Sequence, residues 1–204
     1  VVKNLGKKPT NNNRRYDAIM QRLLSFLLFL VLAACSQPQQ AKRTNVYFDL
    51  KGFLDQQIAT LNARKPLVSK TALVGEQPET HQTKQVDWAK ELELFEQTDL
   101  NKPAYANSYF TEEISKTTTT YRLKADEDLS VQFLEVIKDE KTGQPLKVKA
   151  TLRTKNYLYE SERNLSLTAA NGQLTAYEIE GFQQMFYGDP EPFHLEGRIL
   201  ESLK

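Results

Sequence analysis

Between Leu146 and Arg153 the side chains alternate without a fault: Leu146, Val148, Ala150 and Leu152 are apolar, while Lys147, Lys149, Thr151 and Arg153 are polar. Successive side chains of a strand point to opposite faces, so this period of two describes a strand with one dry and one wet face. Such one-sided burial belongs to an antiparallel sheet covered on one side, because the crossovers of a parallel sheet bury both faces. The segments Thr117 to Lys124, Ser130 to Lys138, Tyr157 to Thr168, Leu174 to Phe186 and Phe193 to Leu200 read as further strands. The segments between them carry turn chemistry: Thr142-Gly143, Gly188-Asp189-Pro190 and above all Asn171-Gly172, the strongest short hairpin signal. Hairpins in succession build a meander, so about six antiparallel strands are expected.

Upstream of Tyr109 two segments have a helical period. Val46, Leu50, Phe53, Leu54, Ile58 and Leu61 predict a helix from about Asn45 to Arg64, with Asn45 as its cap and Pro66 beyond its end. Asp87 is a good cap for a second helix, in which Trp88, Leu92 and Phe95 form a stripe that ends near Thr98. Leu67 to Val74 and Thr80 to Val86 predict a short extra hairpin around Gly75-Glu76-Gln77-Pro78. The expected fold class is α+β: the meander sheet, two N-terminal helices on its apolar face, and that hairpin.

The longest apolar run, Leu23 to Ala34, has twelve residues, apolar except for Ser25, and ends at the only cysteine, Cys35. A membrane-spanning helix needs about 20 residues, whereas this length suits the apolar region of a signal peptide, flanked here by Arg22. Ordinary signal-peptidase cleavage before Cys35 would place Leu32 at the −3 position, where a small residue is wanted. Leu32-Ala33-Ala34-Cys35 instead resembles the lipobox of bacterial lipoproteins, the type II signal peptide. That resemblance implies cleavage between Ala34 and Cys35, a diacylglyceryl group on the cysteine sulfur and acylation of the new amino terminus with a chain such as palmitate. Ser36, rather than Asp, at the next position implies an outer-membrane destination facing the periplasm. Each buried acyl CH₂ contributes about 0.8 kcal/mol, so several chains would anchor the protein durably.

These boundaries divide the chain. Residues 1–19 are polar and begin with Val, and Met20-Gln21-Arg22 suffices as a charged flank, so residues 1–19 are expected to be an upstream start extension. Residues 20–34 are then the signal peptide, 35–45 a polar lipidated tether, and 46–204 a single domain. Of the chain's 27 Lys/Arg and 26 Asp/Glu, six and one lie in residues 1–34, leaving 21 and 25 from Cys35 onward, a net charge of about −4. A mildly acidic body argues against a nucleic-acid partner, since phosphate binding calls for clustered cations. One cysteine excludes an internal disulfide, and with only two histidines, His81 and His194, no Cys/His metal site is expected.

The motifs of serine hydrolases, zinc peptidases and phosphate-binding loops are absent. His194 reads as a solvated strand residue and His81 as strand surface; Asp126-Glu127-Asp128 lacks the spacing of a calcium loop and reads as a turn. Glu160 and Glu162, like Glu178 and Glu180, each place two carboxylates on the outer face of a strand. Tyr157, Tyr159, Phe182, Phe186, Tyr187 and Phe193 cluster in the C-terminal strands, and most aromatics are expected in the core. Phe182, Met185, Phe186 and Tyr187 around the last hairpin are the candidate apolar rim for a lipid or partner. No cofactor and no catalytic residue is expected. Tyr47 to Phe53 and Trp88 to Phe95 resemble segments of bacterial lipoproteins without an assigned activity, and the layout is similar to the curved-sheet periplasmic carriers of lipoproteins, in architecture only. The expected role is thus a non-enzymatic, lipid-anchored envelope protein that touches the membrane through its N-terminal lipid and binds an envelope protein or an apolar ligand; an envelope-directed hydrolase and a purely structural lipoprotein are the alternatives.

Overall fold

Nine strands join into one antiparallel sheet: β1 (Leu67–Val74), β2 (Pro78–Thr83), β3 (Tyr109–Glu113), β4 (Thr118–Leu123), β5 (Val131–Lys138), β6 (Pro145–Lys155), β7 (Tyr159–Ala170), β8 (Gln173–Met185) and β9 (Glu191–Leu200). The computed structural model describes residues 45–74 and 77–200. Residues 1–44, which hold the expected start extension, signal peptide, lipidation site Cys35 and most of the expected tether, lie outside that range, as do Gly75-Glu76 and residues 201–204. Among the described residues no helix is long and apolar enough to cross a membrane.

The strand order is β2-β1-β9-β8-β7-β6-β5-β4-β3. From β3 to β9 each strand pairs with its successor, as hairpin succession dictates, and Asn171 and Gly172 both take positive φ (50° and 72°) in the tight turn between β7 and β8. The count corrects the expectation of six. The extra hairpin does not stand apart, because β1 pairs with β9 along its whole length, from Leu67↔Leu200 to Val74↔Phe193. The other addition is β3, in which Tyr109 is buried and the next four residues are exposed, so it carries no alternation to read. β2 also differs from its expected span: it covers Pro78–Thr83, is almost wholly exposed, and stops before Val86.

Helix α1 (Leu50–Arg64) buries Leu50, Phe53, Leu54, Gln57 and Leu61. It starts at Asp49 rather than Asn45, because the Asp49 carboxylate accepts the Gly52 N–H at 3.0 Å. It ends where Lys65 turns left-handed (φ 46°) ahead of Pro66. The second predicted helix is broken into two single turns, α2 (Trp88–Glu91) and α3 (Glu93–Glu96), by Leu92 at φ −100°, ψ 5°. Trp88, Leu92 and Phe95 nevertheless face inward as the stripe requires, and join Leu134, Val136, Val148, Leu165, Leu167 and Tyr177 of the sheet in one core. Helices therefore cover one sheet face, here called inner, and the opposite, outer face carries the polar residues.

Candidate functional site

Three surfaces of the described chain bring chemistry together. The first is the end of the sheet formed by the β6–β7 and β8–β9 turns. Asn156 shapes its turn by accepting the N–H groups of Leu158 (2.9 Å) and Tyr159 (3.0 Å) on its side chain. Phe186 N–H then donates to the Leu158 carbonyl at 2.9 Å, which locks the two turns side by side. The joint tip displays Tyr157, Leu158, Met185, Phe186 and Tyr187, with exposures of 86%, 43%, 45%, 68% and 75%. The rings of Phe186 and Tyr187 meet edge to face with centroids 4.6 Å apart. Three of the four rim residues read from the sequence stand here. Phe182 does not: it is half-buried within β8, opposite Glu162 and Pro192. Tyr157 and Leu158 complete the tip, although tyrosine in a strand-rich segment reads as core; the flanking Asn156, a turn former, was the available signal.

The second surface is a cleft of about 410 Å³ on the inner face, beside α2. Ala72, Leu94, Ile179 and Leu195 supply its apolar lining, and Lys70, Glu91 and Tyr177 meet at one side. Glu91 accepts from Lys70 Nζ at 2.5 Å and from the Tyr177 hydroxyl. The Tyr177 ring reaches there by lying over Gly197 of β9, its register partner, where any Cβ would overlap the ring. Burial, and then the bond to Glu91, push the Tyr177 pKa well above the ordinary tyrosine range. The three groups satisfy one another and pin α2 to the sheet. His81, opposite Lys70 in the β1–β2 register, lies at the cleft's margin and is exposed.

The third surface is the outer face, where acids meet bases across strands and, at Glu196 and Arg198, along one strand. Glu135 pairs with Lys149 at 3.4 Å, Glu160 with Arg153 (2.8 Å) and Lys155 (2.7 Å), and Glu196 with Arg198 (2.5 Å). The Lys155 and Arg153 bonds hold the Glu160 pKa below the ordinary carboxylate value. Farther along, Arg122 stacks over Phe133 and Lys124 over Phe110, at 5.2 and 5.5 Å from the ring centroids. Between these groups the register sets His194 opposite Glu180 and diagonal to Glu178, with its Nδ1 3.7 Å from a Glu178 oxygen. That distance exceeds hydrogen-bond reach. Asp126, Glu127 and Asp128 are exposed in the β4–β5 connection, as a solvated turn requires. Comparison with protein-family models, with curated proteins and with solved structures finds no match to this chain.

Proposed function

We propose that this chain is a bacterial lipoprotein, anchored through acylated Cys35 to the outer membrane on its periplasmic side, whose folded domain is non-enzymatic and docks an envelope protein through its aromatic tip. The lipobox-like Leu32-Ala33-Ala34-Cys35 supports the anchor. The observation that carries the docking reading is the tip itself: five large apolar side chains from two locked turns, exposed together at one end of the sheet. Tyr, Phe and Met are enriched at protein–protein interfaces, where their side chains bury much apolar area. Asp189 and Glu191, both exposed, flank the tip, so the fitting partner presents an apolar pocket with a basic border.

Two experiments test this. Palmitate labelling of cells should mark the wild-type chain and not Cys35→Ala; an unlabelled wild type overturns the anchor. Photo-cross-linking from position 157 should capture one envelope protein, and that band should vanish when Phe186→Ser and Tyr187→Ser are combined and weaken with added salt. A band indifferent to the tip variant overturns the docking reading. So does vesicle binding that requires Phe186 and Tyr187 with no protein captured, which would identify lipid as the occupant.

A further inference from the structure

Glu178 and Glu180 lie two residues apart on β8 and so project from the same, outer face. His194 of β9 stands directly across from Glu180. One ligand atom from each of the three side chains can be chosen so that all lie within 4.8 Å of one another. The neighbouring acids Glu135, Glu160 and Glu196 each have a lysine or arginine partner. Across from Glu178 and Glu180, however, β7 offers the neutral Ser166 and Asn164. On the β9 side Glu178 faces a further acid, Glu196, itself held by Arg198. Like charges directly opposite one another destabilise a sheet, so this patch carries an electrostatic cost that a cation would remove.

We propose that Glu178, Glu180 and His194 form a binding site for a divalent transition-metal cation, of which zinc fits best. The set combines an imidazole with two carboxylates, a mixture that suits the borderline metals better than magnesium or calcium, which take oxygen alone. Two ionised carboxylates and a neutral imidazole balance a +2 charge. Ligand atoms bound at about 2.1 Å to one ion stand about 3 to 4 Å apart; the 3.7 Å between His194 Nδ1 and Glu178 already lies in that range. The remaining closure needs only rotation of half-exposed side chains, and water completes the coordination.

The test is a calorimetric titration of zinc into the detergent-solubilised full chain carrying Cys35→Ala, so that no thiol competes. One saturable site of micromolar affinity is expected, weakened at least about tenfold by His194→Gln and by Glu178→Gln combined with Glu180→Gln. His81→Gln should leave the affinity unchanged. Zinc should also raise the melting temperature of the parent chain and of His81→Gln, but not of His194→Gln. These ligands are solvent-facing, so the variants keep the fold, which circular dichroism verifies. Failure to saturate at millimolar zinc, affinity that survives both ligand variants, or affinity lost with His81→Gln would each overturn the proposal.

Discussion

Glu91 receives a proton-bearing group on each carboxylate oxygen, Lys70 on one and Tyr177 on the other, and thereby ties a single-turn helix to two strands. Nothing wider than glycine fits under the Tyr177 ring, so Gly197→Ala must displace the ring and with it the bond to Glu91. We expect that substitution to cost about 1–3 kcal/mol in denaturant unfolding, as overpacking of a filled site does. The same contact sets an alkaline limit. Because burial and Glu91 raise the pKa of folded Tyr177, the unfolded chain releases this proton first. The stabilisation is complete below the unfolded tyrosine value of about 10 and declines as pH rises beyond it. Tyr109, also raised by burial and donating to the Val131 carbonyl at 2.9 Å, adds to the decline. Melting temperatures followed upward from neutral pH should therefore fall above pH about 10, less steeply in Tyr177→Phe than in wild type; an identical slope would mean that the two states bind the Tyr177 proton alike.

At the scale of elements, α1 is held by more than its apolar stripe. Gln57 points inward from it, 2% exposed, and spans the β7–β8 turn: its Nε2 donates to the Gly172 carbonyl (3.0 Å) and its Oε1 accepts from Leu174 N–H (2.8 Å). Gln57→Ala strands both backbone groups under the helix, and about 2–4 kcal/mol of stability should be lost, whereas exposed Gln56→Ala should stay within about 0.5 kcal/mol. Equal effects of the two variants in urea unfolding would deny the latch. No hydropathy pattern announces Gln57, since its polarity contradicts the face it occupies; it is legible only once the turn beneath it is placed. The same distinction separates what the sequence disclosed from what it hid. β6 and the hairpin turn at Asn171-Gly172 were legible because alternation and turn chemistry are local, and so was the inward face of Trp88, Leu92 and Phe95. β3 was hidden because a single residue of it, Tyr109, is buried, and the break at Leu92 because its apolar side chain satisfies the stripe whether or not the helix continues. The meeting of His194 with Glu178 and Glu180 depends on the cross-strand register, which the length and shape of the 186–190 turn determine and composition does not.

For the whole molecule, the decisive pairing joins the two ends of the domain: β1 closes on β9 after more than a hundred intervening residues, which places β2 and β3 at the two open edges. Both edges are short, six and five residues, and blunted against further pairing by Pro78 and Glu79 on one and Glu112 and Glu113 on the other. The interior strands β6, β7 and β8 run eleven to thirteen residues, pair on both sides and bury a row of apolar side chains, Leu165 and Leu167 among them. Local opening is cheapest where few apolar contacts must break, so protection should grade from the edges to the centre. Amide hydrogen exchange should be slowest at Leu165, Leu167 and Ile179, reporting global unfolding, and fastest among the strands in β2 and β3. β1 should fall between, because its inner face meets the core at Val68, 0% exposed, while its outer neighbour β2 offers it no cover. If β1 instead exchanged as fast as β2, the hairpin would open as a separate unit, and the β1–β9 ladder could not be what holds the nine strands as one cooperative sheet.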